Sequence, residues 1–259
     1  MPIKQSFCYR LFQPDGMSLD ALCAEAAAIG YAGIELWWPE DDFQELTAAA
    51  KQHGLAIASM CGHRWDTGGL NDRSQHDRIE SELGTSIEQA RANHVSGLIC
   101  FSGNRIDGQP DREAIEAVAA GLRRVTPAAE KAQINLNLEL LNSKIDHPGY
   151  QCDHTAWGAA VCRQVASPRA KVLYDIYHMQ VMEGDVICTM TDHLDVIGHV
   201  HTAGVPGRRD LDGEQELNYP AICRALAKAG YAGFVGHEFK PKRDLLNGLR
   251  TGFEVCNVE

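Results

Sequence analysis

The sequence predicts a single closed (β/α)8 barrel, and three observations carry that expectation. Apolar runs of strand length alternate with stretches of helical spacing from one end of the chain to the other. There are eight such runs, the number that closes a parallel barrel. And 259 residues, 44% of them hydrophobic, suffice for one large core.

The runs fall at 4–12, 33–38, 55–61, 97–102, 134–141, 171–177, 197–203 and 233–239. Between the first five lie MSLDALCAEAAAIG, DDFQELTAAAKQHG, SQHDRIESELGTSIEQARANHV and DREAIEAVAAGLRRVTPAAEKAQ. TAWGAAVCRQVA, DVICTMTDHLDVI, NYPAICRALAKAG and DLLNGLRTGFEVC follow in the second half. Strands separated by helices must run parallel, since a parallel neighbour needs a long crossover. No glycine-rich GxGxxG follows the first run, which removes the main support for a dinucleotide-binding open sheet. No linker or low-complexity tract divides the chain, so residues 1–259 are expected to form one domain. IGYAGIELWWP at 29–39 and AGYAGFVGHEFKP at 229–241 echo one another, which we read as a shared helix-to-strand turn.

Composition excludes several classes of function. With 24 basic and 35 acidic side chains the net charge is −11, so nucleic acid and anionic membranes are not expected partners. No run of 18 apolar residues and no secretory leader are recognisable, which points to a cytoplasmic protein. The nine cysteines form no CxxC pair and sit mostly in apolar runs, as reduced core residues do. Nothing in the sequence bars a homo-oligomer.

In such a barrel the carboxyl ends of the strands form the active-site mouth. Strand three ends with His63 and Trp65, strand five with Glu139 and Asn142, and strand six with Asp175 and His178. Strand seven contributes His199, His201 and Arg208, and strand eight Glu238 and Lys240. Glu238 raises the sharpest question, because an unpaired carboxylate inside an apolar strand costs several kcal/mol or changes its ionisation. A divalent cation would hold it ionised. Glu139, Asp175, His201 and Glu238 together offer three carboxylates and one imidazole, a set that suits Mn(II), Mg(II) or Co(II) better than zinc. Of the histidine pair on strand seven, only His201 is expected to face the interior, with His199 behind it or in packing. His63 is counted among the substrate contacts, although a histidine alone at a strand end is more often a satisfied core residue. Trp37, Trp38 and Trp65 either line the pocket or cap the barrel.

The runs NLELLNSKIDHPGY, LYDIYHMQ, GHVHTAGVPGRRDLDGEQELNY and GHEFKP carry a resemblance that spans nearly the whole chain. The sequence resembles the xylose isomerase-like TIM-barrel superfamily and, within it, the hydroxypyruvate isomerases. The resemblance implies one divalent metal held by Glu139, Asp175, His201 and Glu238, with Glu139 and Glu238 also handling protons. It implies that His178 and Arg208 contact substrate oxygens and that Lys240 sits at the mouth. Arg209 is the alternative to Arg208, since the phase of that loop is open by a residue. The implied substrate is a small hydroxy-oxo acid, interconverted as hydroxypyruvate is with tartronate semialdehyde. Three departures bear on that substrate: His201 stands where hydroxypyruvate isomerases often have Gln and ketose 3-epimerases have His, Leu140 where Pro is expected, and Gly204 where an acid is expected. Ketose 3-epimerisation is therefore the alternative. An endonuclease IV-like phosphodiesterase fits poorly, because strand four ends CFSGN with no His and the net charge is −11, and a non-catalytic sugar-binding barrel would have a broken ligand set.

Overall fold

The computed structural model describes residues 3–40 and 42–258. Its strands are β1 (Lys4–Phe7), β2 (Gly33–Glu35), β3 (Ala56–Cys61), β4 (Gly97–Cys100), β5 (Asn135–Glu139), β6 (Ala170–Asp175), β7 (Ile197–Thr202) and β8 (Phe234–His237). They form one parallel sheet in the order β1-β8-β7-β6-β5-β4-β3-β2. The ends of that order meet where Cys8 bridges Glu35 and the Ala32 amide donates to the Gln5 carbonyl (2.9 Å), which completes the ring. The helices are α1 (Leu19–Ile29), α2 (Phe43–Gln52), α3 (His76–Ala92), α4 (Asp111–Ala132), α5 (Thr155–Val165), α6 (Ile176–Met182), α7 (Val186–Asp192), α8 (Tyr219–Ala229) and α9 (Leu245–Cys256). None of them is long and apolar enough to cross a membrane.

Period two sorts the strand residues between two environments. On β5, Leu136 and Leu138 are fully buried among apolar residues, while Asn137 and Glu139 occupy the alternate positions. The echoed segments begin alike, at glycines with left-handed backbone that end α1 (Gly30, φ 119°) and α8 (Gly230, φ 83°), as the shared-turn reading expects.

All eight expected strands are present, most of them stopping short of their apolar runs, and in two the rest of the run turns into helix. β1 stops at Phe7, and Tyr9–Leu11 form a turn of 3-10 helix. β6 stops at Asp175, and the run IYHM that reads as its continuation is the first turn of α6. Asp175 makes the difference: its Oδ1 accepts the His178 amide (3.1 Å), capping the helix at the last strand residue. Buried helix and buried strand share an apolar alphabet, and a seven-residue helix offers too little period to tell them apart.

Candidate metal centre and active site

Glu139 ends β5, Asp175 ends β6, His201 lies on β7 and Glu238 directly follows β8. Each offers a ligand atom, and those four atoms lie within 4.8 Å of one another. All four residues are buried. Two of the atoms have no hydrogen-bond partner, Asp175 Oδ2 and His201 Nδ1. Asp175 spends its other oxygen on the α6 cap, and His201 spends Nε2 on Glu35 Oε2 (3.0 Å). Bare buried lone pairs converging with two more carboxylates are what a hard divalent cation needs, so the residues present fit the group.

The two glutamates differ in their surroundings. Burial, reinforced by the nearby Glu238 charge, pushes the Glu139 carboxyl up to about 8. Burial acts on Glu238 in the same direction, but the Arg208 guanidinium and His201 outweigh it and hold Glu238 well below the usual carboxylate range. Arg208 Nη2 donates a short hydrogen bond to Glu238 Oε2, the Trp37 indole N–H donates to Glu238 Oε1 (2.7 Å), and His201 Nδ1 stands 3.3 Å from Oε2. Before a cation binds, burial disfavours a charge on His201, but Glu238 and Glu35 outweigh it and raise the ring well above an ordinary histidine; a cation would displace the Nδ1 proton and take the lone pair that it leaves.

His178 is fully buried, and its Nδ1 accepts the Asn142 amide (3.1 Å). Its proton therefore sits on Nε2, which has no partner and lies 3.7 Å from Asp175 Oδ2. Burial and then Arg208 hold this ring neutral. Arg208 reaches into the same space, 3.8 Å from Asp175 Oδ2, from a left-handed backbone (φ 56°) that a non-glycine residue adopts only under constraint. Its Nε is buried without an acceptor. Arg209 is exposed, so of the two arginines it is Arg208 that reaches the cluster.

Three expectations need correction. His63 is buried, but its Nε2 accepts the Phe101 amide (2.9 Å) and its Nδ1 lies 3.0 Å from the Arg64 carbonyl, so neither nitrogen is free for a substrate. Lys240 has an exposed side chain that does not line the cavity, and its backbone amide steadies the loop by donating to the Arg208 carbonyl (2.9 Å). His199 and His201 both face inward, each 3.0 Å from Glu35 Oε2, because residues two apart on a strand share a face.

The cluster opens into a cavity of about 330 Å³, where Glu139, Arg208 and Glu238 meet Trp37, Trp65 and Phe101. His147 also lines it, stacked edge-on against both Trp65 and His178, and sequence reasoning missed it because it lies in the loop beyond the strand end. Sequence reasoning also missed Glu35. The question that singled out Glu238, a carboxylate inside an apolar run, applies equally to GIELWW. A larger cavity of about 440 Å³ opens elsewhere, lined by Lys4, Asn135 and Phe234 from the amino-terminal ends of their strands. None of the four clustered residues lines it.

Known proteins resemble this chain along most of its length. The family model of the xylose isomerase-like TIM barrel matches residues 23–256. A putative hydroxypyruvate isomerase of Xenopus laevis is 36% identical, covering 86% of this chain and 85% of that protein. A 2-oxo-tetronate isomerase of Cupriavidus necator is 30% identical, covering 87% of this chain and 88% of its own. Among solved structures, a family 2 AP endonuclease from Brucella melitensis superposes with a TM-score of 0.83, covering 96% of this chain and 97% of that one. At 24% identity, that last likeness is one of fold.

Proposed function

The chain belongs to the xylose isomerase-like TIM-barrel family, and from that premise we propose that it isomerises small hydroxy-oxo acids of the hydroxypyruvate type, with one divalent cation held by Glu139, Asp175, His201 and Glu238. The observation that carries the reading is the convergence of four buried ligand atoms within 4.8 Å, two of them without a partner. The isomerase relatives at 30% identity and above supply the substrate class. When bound, the cation would polarise the substrate carbonyl and stabilise the negative charge that develops as the neighbouring proton leaves.

The chain's own residues divide the remaining work. Glu238, kept ionised by Arg208 and His201, takes the proton from the hydroxyl-bearing carbon. Glu139, whose carboxyl burial and Glu238 push up to about 8 before a cation binds, is placed to return a proton to the former carbonyl carbon, while the hydroxyl proton moves to the former carbonyl oxygen. Two carboxyls whose surroundings push their ionisation apart are suited to base and acid in one site. The Arg208 Nε–H has no protein acceptor and is free to meet the substrate carboxylate, and the His178 Nε2–H to meet a substrate oxygen. The apolar wall of Trp37, Trp65 and Phe101 limits the water that would compete for these groups. Reduced cysteines and a cytoplasmic setting belong to the same reading.

The test is turnover of hydroxypyruvate, and separately of ketoses such as fructose and tagatose, by metal-stripped protein reconstituted with Mn(II), Mg(II), Co(II) or zinc. We expect the stripped protein to be inactive and less heat-stable, and the first three cations to restore it on the oxo acid. Full turnover by a verified metal-free preparation would falsify the reading. Turnover of ketoses alone, with inversion at one carbon, would establish the 3-epimerase instead, the alternative that His201 favours.

A further inference from the structure

Glu35 takes no part in the chemistry above, yet few side chains in the molecule are as fully engaged. It is buried at the end of β2, and its Oε2 receives both His199 Nε2 and His201 Nε2 at 3.0 Å. Its Oε1 accepts the Ser6 hydroxyl from β1. Gly236 on β8 leaves the space for it: a Cβ there would lie 2.0 Å from Glu35 Oε1. Four strands thus converge on one carboxylate.

A neutral imidazole carries one proton, and the hydrogen bond made by one ring nitrogen decides which lone pair the other presents. Glu35 takes the Nε2–H of His201, so the lone pair falls on Nδ1, the atom that stands bare among the acidic ligands. We propose that Glu35 is a positioning residue for the metal centre: it fixes the tautomer and ring plane of His201, while Ser6 and His199 occupy the rest of the carboxylate so that it cannot swing. A second cation between Glu35, His199 and His201 is geometrically conceivable. It would have to take the same Nε2 and Oε2 atoms that the hydrogen bonds use. A purely structural tie between β2 and β7 would need only one of the two imidazoles, and would not require the second to leave a bare nitrogen in the cluster.

The inference rests on the cation reading above, and the test separates the two. Free Mn(II) is measured by electron paramagnetic resonance against the folded wild type, Glu35→Gln and His199→Asn, with melting curves to confirm folding. Glu35→Gln should weaken Mn(II) binding roughly 10- to 100-fold, as losses of such outer partners do. His199→Asn should change it by less than about threefold, because Glu35 still holds His201. Nitrogen-15 spectra of the wild type with Mg(II) should show the His201 proton on Nε2. Folded Glu35→Gln with Mn(II) affinity within about twofold of wild type overturns the proposal, and so does a wild-type His201 protonated on Nδ1. Should Glu35→Gln not fold, the wild-type spectrum decides, together with Ser6→Ala, which loosens the same carboxylate and should weaken Mn(II) binding in the same direction. A wild type that binds neither cation sinks the function reading itself, whereas binding unaltered by Glu35→Gln sinks only this one.

Discussion

Strands β5 to β8 and their loops bring Glu139, Asp175, His178, His201, Arg208 and Glu238 to the site, whereas β3, β4 and the loops after β2 to β4 bring Trp37, Trp38, Cys61, Trp65, Ile99 and Phe101. One half of the barrel is charged and the other is aromatic or apolar, although both have the same strand and helix plan. The difference teaches where each kind of work is done. Charges placed in a dry enclosure interact more strongly than in water, so the apolar half amplifies what the acidic half holds. The exception is Glu35, which comes from the apolar half but sends its carboxylate to His199 and His201 on β7.

The comparison breaks most readily in the charged half. Glu139→Gln and Glu238→Gln keep the side chain's size and one coordinating oxygen but remove the proton-handling carboxylate. Each should lower turnover by about 10²- to 10⁴-fold, while calorimetry still detects bound Mn(II). Near-normal turnover in both would leave the two glutamates as ligands only. Arg208→Lys should come next, raising KM for an acidic substrate on the order of tenfold and hardly changing KM for a neutral ketose. Equal effects on both substrates would mean that Arg208 serves Glu238 and not a carboxylate of the substrate.

Acid–base behaviour sharpens the same contrast. Folded, metal-free protein keeps a proton on Glu139 up to about 8, while an unfolded chain releases it near 4.5. A group raised in this way contributes stability that is complete below the unfolded value and is lost as pH rises through the folded one. Above about 6.5, where the buried neutral His63, His178 and His237 no longer add a slope of the opposite sign, the melting temperature of the stripped protein should therefore fall towards pH 8 more steeply than that of Glu139→Gln. Glu35, drawn down by His199 and His201 against the effect of burial, has the opposite sign. Its contribution is present above about 4.5 and is lost only in stronger acid, outside that window. The smallest effect belongs to the apolar rim. Trp65 is 43% exposed, and Trp65→Ala should raise KM by a few-fold with little change in kcat or melting temperature.

The fold was legible because the barrel repeats one pattern eight times, so errors at the ends of β1 and β6 did not disturb the count. The four clustered residues were legible for a different reason: strand ends converge in a parallel barrel, so residues far apart in sequence can be assigned to one site. Hydrogen-bond allegiance was not. His63 and His178 look alike in sequence, yet the first is tied to backbone through both nitrogens and the second through one. That depends on loop paths which no periodicity records. His199 was misread only in its facing, since the two-residue period itself puts it on the face of His201; its place behind the cluster, against Glu35, is as expected.

Trp37 gives the molecule a property unrelated to catalysis. Its indole N–H donates to Glu238 Oε1 at 2.7 Å, so the chromophore is bonded directly to a carboxylate of the site. Indole emission responds to the electric field along the ring and to the strength of the bond at its nitrogen. Any event that changes the charge on Glu238, whether a cation arriving, a proton settling or a ligand displacing Arg208, should shift the colour or yield of that fluorescence. Of the four tryptophans, Trp37, Trp38 and Trp65 line the cavity, but only Trp37 donates to a member of the cluster, and Trp157 lies on α5. The difference in emission between wild type and Trp37→Phe would therefore isolate an optical signal native to the chain, read in real time and without a label.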